Sequence, residues 1–240
     1  MNLAKRMKRD PWRNTRNDKS IPWRDVFAAI FMVLIPIIIV SLSSNFVLRS
    51  GTFYSFYMSK TGVISEIPYY VENEDVVKTF SDYMIHKTDE FTLKEHSEYK
   101  PQQVFNQRDG QVVEYIRSTL DKILVVAIIF SITAIAIFVF LYRNKEKKLL
   151  YESFMHSLIW FAVLLAMNGV LYFVKPVREI IFKTLFGVRF PPGDVLIILF
   201  ENKLAMYMGI WQIGAALLLM VVLAYFMKIS VSDRKMFRGM

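Results

Sequence analysis

Four apolar runs, at 26–48, 123–142, 153–174 and 204–226, constrain this chain more than any other feature of it. A bilayer core about 30 Å thick needs roughly 20 helical residues to cross it, and each run reaches that length. The first carries fifteen Leu, Ile, Phe or Val residues, with only Pro36 and a few Ser and Asn against them. At roughly 0.3–0.6 kcal/mol apiece on an insertion scale, such residues favour membrane entry by several kcal/mol. The expected fold is an all-α polytopic membrane protein rather than a soluble helical core.

Lys and Arg distribution then sets the expected orientation. Residues 1–24 hold eight of them, 143–148 hold four, and Lys228, Arg234, Lys235 and Arg238 close the chain. These sixteen of thirty lie in short segments on one side, so the positive-inside rule puts both termini in the cytoplasm. In residues 49–121 acidic side chains outnumber basic ones although the whole chain is +9. The excess basicity therefore reads as topology and contact with anionic lipid, not as nucleic-acid binding.

The expected layout has a basic cytoplasmic segment at 1–25 and spans at 26–48, 122–142, 153–174 and 204–227. An extracytoplasmic domain fills 49–121, a cytoplasmic loop 143–152, an extracytoplasmic interfacial piece 175–203 and a cytoplasmic tail 228–240. The first run is too long for a signal-peptide core and no small-x-small cleavage site follows it, so it is expected to be retained.

With no Cys there is neither a disulfide nor thiolate chemistry, and His86, His96 and His156 lack the i, i+4 spacing of helix-borne zinc ligands. No Gly-rich phosphate loop or Gly-x-Ser-x-Gly elbow appears. No metal and no cofactor is called for.

Within 49–121, the opening Phe53-Tyr54-Ser55-Phe56-Tyr57 suits the headgroup level of a membrane. A helix is predicted over 74–86, capped by Asn73, with Val76, Phe80, Tyr83 and Met84 on one face and His86 in its last turn. A second helix starts near Asp109 and runs without a break into the second span, so Arg108, Asp109, Glu114 and Arg117 stand just above the membrane on a solvated face. In 175–203, Pro176 opens an amphipathic interfacial helix that stops at Gly187. Phe190-Pro191-Pro192-Gly193-Asp194 then breaks the chain before six apolar residues at 195–200, too few to span and too greasy for water. They are expected to dip into the interface or pack on the spans, with Asp194 as N-cap and Glu201 at the end.

This order of parts resembles the bacterial four-helix integral membrane proteins that include the lipoprotein intramolecular transacylases. Phe105-Asn106-Gln107-Arg108-Asp109, followed by Gln111-Val112-Val113-Glu114-Tyr115, is similar to that family's Phe-x-Glu-Arg-Glu and His-Met-x-Asp-Val stretches. Phe182-Lys183-Thr184-Leu185-Phe186, then Phe190-Pro191-Pro192-Gly193-Asp194-Val195-Leu196-Ile197 and Glu201, is similar to its Phe-His-x-x-Phe stretch, its Asp-Pro turn and the Pro-Glu that opens the last span. The resemblance implies transfer of an acyl chain from the diacylglyceryl group of a lipoprotein's N-terminal Cys onto its own amine, with two His as working residues. Here those positions hold Gln111 or Val112, and Lys183.

The reaction needs a base for an amine of pKa about 8 and donors for the ester oxyanion. Two readings stay open. As a diverged acyl-transfer enzyme, the chain would work through Glu114, Lys183 and Asp194, with Arg108, Arg189 and Glu201 binding substrate; Glu114 serves as base only if burial raises its pKa. As a non-catalytic binding or assembly subunit, it would grip a membrane lipid, a lipoprotein or another membrane protein.

Overall fold

Each apolar run folds as one helix. The computed structural model describes residues 23–97, 101–177, 180, 195–200 and 203–231, and its helices are α1 (Trp23–Arg49), α2 (Gly51–Thr61), α3 (Asn73–Met84), α4 (Gln107–Arg143), α5 (Lys147–Phe173), α6 (Val195–Phe200) and α7 (Lys203–Val231). Among the described residues α1, α4, α5 and α7 are long and apolar enough to cross a membrane, so this is a multi-pass, all-helical membrane protein. Its polarity is arranged for lipid. Ile128, Ile132, Ile135, Leu218, Val221 and Val222 point outward, while Phe31, Ile35, Leu141, Phe154, Ala216 and Met227 fill the centre of the bundle. α1 packs on all three other spans and is the bundle's hub.

α4 is the expected long rod. Its 37 residues reach about 56 Å at 1.5 Å each, well beyond a bilayer core of about 30 Å, so its first turns stand clear of the membrane. It begins at Gln107 rather than near Asp109, because Asn106 caps it: the Asp109 N–H donates to Asn106 Oδ1 at 2.9 Å and Asp109 Oδ2 accepts from the Asn106 N–H at 3.0 Å. This reciprocal pair buries Asp109 completely, which corrects its placement on a solvated face.

Above the bundle sits a head domain with an aromatic core. α2 turns most of its aromatic opening inward: residues 53, 54, 57 and 58 share one helical face, and Phe53, Tyr54, Tyr57 and Met58 are all buried there. α3 turns the predicted Val76, Phe80, Tyr83 and Met84 into the same core. Phe80 lies at its middle, meeting Phe91, Phe105 and Phe200 edge-on with centroids 4.9, 5.7 and 5.6 Å away. Burying such a ring stabilises the fold by roughly 1.5–3 kcal/mol. Five of the six apolar residues of α6, all but Ile197, pack into or against this core, the helix also touches α7, and the Tyr57 hydroxyl donates to the Leu199 carbonyl at 2.7 Å. Of the expected interfacial helix, residues 175–177 and 180 are helical; the Gly187 stop, the Pro-Pro-Gly break and the capping roles of Asp194 and Glu201 lie outside the described residues.

α3 ends two residues before its expected last residue. Ile85 is its C-cap and His86 takes a left-handed φ of 61°. The His86 N–H donates to the Tyr83 carbonyl and the Lys87 N–H to the Asp82 carbonyl at 2.8 Å, which is the Schellman pattern with His in the position glycine usually fills. His86 is therefore a turn residue beyond the helix, not part of its last turn.

Candidate functional site

That turn aims the His86 ring at α4. Nε2 of His86 stands 3.0 Å from Oδ2 and 3.1 Å from Oδ1 of Asp121, the last acidic residue of α4, two positions before the apolar run at 123–142 begins. The same carboxylate accepts from Nη2 of Arg49, the last residue of α1. One carboxylate thus joins an imidazole from the head to a guanidinium from the bundle, at the level where head and bundle meet. Burial alone would raise the Asp121 carboxyl, but the hydrogen bonds and charges of Arg49 and His86 outweigh it and hold it below the usual carboxylate range. Asp121 is thereby kept as an acceptor, and an imidazole anchored to it through Nε2 has Nδ1 left to exchange a proton. The His86 side chain is 47 % exposed, open to a reactant from outside the fold.

A second contact fixes the turn. Arg117 lies one turn before Asp121 on the same face of α4, with its guanidinium carbon 3.9 Å from the Tyr83 ring centroid. It donates to the carbonyls of Tyr83 and Thr88 at 3.4 and 3.5 Å, bracketing His86. Burial raises the Tyr83 phenol, the Arg117 charge partly offsets that, and the Glu114 and Asp89 carboxylates add to the rise. Arg117 is thus a clamp on the head domain, where a solvated face was expected.

Below Arg49 the spans carry polar side chains that hydropathy averages conceal. Gln212 of α7 is 3 % exposed and donates from Nε2 to Ser44 Oγ of α1 at 2.5 Å and to Asn168 Oδ1 of α5 at 3.4 Å. Asn45 is 4 % exposed and donates from Nδ2 to the Ser41 carbonyl at 3.3 Å. Asn45 Oδ1, Gln212 Oε1 and Arg49 Nε are buried without a partner.

The residues singled out in the sequence fall differently. Glu114 and Arg108 are exposed on the part of α4 that precedes its apolar run. Gln111 is exposed and Val112 is buried. Lys183, Arg189, Asp194 and Glu201 lie outside the described residues. What sequence reasoning missed is the set Arg49, His86 and Asp121. Arg49 ends α1, His86 follows the C-cap of α3 and Asp121 lies within α4, and nothing local pairs residues 35 and 72 positions apart. Among the described residues no three His, Asp or Glu side chains converge as metal ligands would.

No family model and no curated protein matches the sequence. Solved structures do match in fold. A variant of the membrane integral lipoprotein intramolecular transacylase Lit from Bacillus cereus, with alanine in place of a histidine, aligns at a TM-score of 0.66 and 14 % identity, over 89 % of this chain and 96 % of that one. A variant with arginine in place of a histidine aligns at 0.59 and 15 %, over 85 % and 92 %. A third structure of Lit aligns at 0.62 and 12 %, over 85 % and 95 %. The resemblance carried by the residues is thus also a resemblance of the whole fold, across a wide sequence divergence.

Proposed function

We propose that this chain acts on a lipid or a lipoprotein at the outer face of the cytoplasmic membrane, with both termini in the cytoplasm, as an acyl-transfer enzyme whose working imidazole is His86. The observation that carries this is the His86–Asp121 pair at the junction of head and bundle, two residues before the apolar run at 123–142. Asp121 orients the ring. His86 takes a proton from the attacking amine as its nitrogen bonds to the ester carbonyl, and returns it to the glyceryl oxygen as the carbon–oxygen bond breaks. The acyl chain moves from oxygen to nitrogen with no other reactant consumed. Lys183 serves as a cation for the developing oxyanion, with Glu114 and Asp194 toward the reacting ester, and Arg108, Arg189 and Glu201 bind the rest of the substrate.

The second reading, a binding subunit without chemistry, is favoured by the replacement of both His positions of the resembled family by Gln111 or Val112 and by Lys183. Mass spectrometry of the N-terminal peptides of a co-expressed diacyl lipoprotein separates the two. The enzyme reading expects an amide-linked acyl chain with the intact protein, reduced about 100-fold or more in His86→Ala, as loss of a general base would do, and reduced also in Lys183→Ala. Diacyl peptides unchanged by the intact protein leave the binding reading; an amide product undiminished in His86→Ala removes this residue from the chemistry.

A further inference from the structure

α5 buries Phe154, Ser157 and Phe161 in the bundle and turns His156 the other way. His156 is the fourth residue of the apolar run at 153–174, and it is exposed where the surroundings of the fold are lipid. Its Nδ1 stands 2.7 Å from the Glu152 carbonyl oxygen. A carbonyl only accepts, so Nδ1 carries the proton, and in the neutral ring Nε2 is an acceptor. Hydrocarbon offers it no donor, and ionisable side chains within spans almost always pair with another group. One turn further along the same face stands Trp160, half exposed, whose indole N–H can only donate. Neither His156 Nε2 nor the Trp160 N–H has a hydrogen-bond partner among the described residues.

We infer that this face of α5 is an interface with a second copy of the chain, packed parallel about a two-fold axis along the membrane normal. A two-fold makes every contact reciprocal, so whatever residue i of one copy offers to residue j of the other is returned. An acceptor and a donor-only group one turn apart are self-complementary under that operation: Trp160 of each copy donates to His156 Nε2 of the other. Side chains on a helix lean toward its N-terminus, so the Trp160 ring covers the turn that carries His156 and brings its N–H toward the level of the imidazole. Val163, Met167 and Val170, all exposed, carry the face onward. Residues 156, 160, 163, 167 and 170 follow one another at spacings of 4, 3, 4 and 3, the seam of a left-handed helix pair. This interface uses none of the chemistry proposed for His86, so loss of that reaction leaves it standing.

The test is self-association of the full chain in lipid vesicles, read by energy transfer between copies labelled at Thr88→Cys as the protein-to-lipid ratio is lowered. The chain dimerises in a saturable way. Trp160→Phe keeps an aromatic ring and removes the N–H, and His156→Leu removes the acceptor; each breaks both reciprocal bonds and weakens association about five- to tenfold, with helix content by circular dichroism unchanged. Because the chain has no Cys, Val163→Cys cross-links to its counterpart on oxidation, whereas Ile132→Cys, equally lipid-facing on α4, does not. A chain that stays monomeric across the titration, association unchanged in either variant, or cross-linking as strong in Ile132→Cys as in Val163→Cys overturns the proposal and leaves His156 Nε2 to water at the headgroups.

Discussion

His86 and His96 look alike in the sequence, each a lone imidazole in a polar stretch, and the fold pairs each with an aspartate in a different place. His86 bonds to a carboxylate on a spanning helix. His96 bonds to Asp75 in the first turn of α3, at 2.7 Å, while its N–H donates to the Tyr70 carbonyl, so it pins the 91–97 loop to the head. The hydrogen bond to Asp75 raises the His96 pKa, against a smaller opposing effect of desolvation. A raised folded-state pKa means that the contribution to stability is complete below the unfolded value of about 6.5 and is lost as pH climbs through the higher folded value. The head should therefore lose protection of the 91–97 amides to hydrogen exchange as pH rises from about 6.5 through the higher folded-state value, after correction for the intrinsic rate, and Asp75→Asn should abolish that pH dependence. An unchanged dependence in Asp75→Asn would detach it from His96.

At the scale of elements, helix ends and helix crossings decide the architecture. α1 and α4 end or begin their membrane runs at Arg49 and Asp121, and the pair closes the bundle beneath the head. α5 and α7 are brought together at Gly209: a Cβ built there would lie 2.7 Å from the Tyr172 Cβ, whereas one at Gly214 meets nothing within 4 Å. The two glycines are equivalent as spacing motifs in the sequence, and only the crossing separates them. Gly209→Ala should destabilise the bundle by about 1–3 kcal/mol through overpacking. Gly214→Ala should be neutral or stabilise by up to about 1 kcal/mol through helix propensity. Thermal unfolding of the two variants in one detergent checks this, and equal effects would refute the close crossing.

The whole molecule is a bundle with a head at one end and the Arg24–Glu146 ion pair at the other. That pair is largely exposed and worth at most about 1 kcal/mol; the charge asymmetry around it matters more, because it predicts which side each end faces. The chain contains no Cys, so single cysteines report sidedness without background. Thr88→Cys in the head should react with an impermeant maleimide in intact cells, and Lys145→Cys, in the turn between α4 and α5, only after permeabilisation. The reverse pattern would invert the proposed topology and move the candidate site to the cytoplasmic face. Four spans, the unbroken α4 rod and the apolar face of α3 were legible in the sequence because hydropathy and helical period are properties of neighbouring residues, summed locally. The polar level around Asn45 and Gln212 was not, since a few amides vanish into the average of an apolar run. Nor was the meeting of Arg49, His86 and Asp121: these side chains come from the end of α1, the turn after α3 and the interior of α4, and only the tertiary packing brings them within hydrogen-bonding distance.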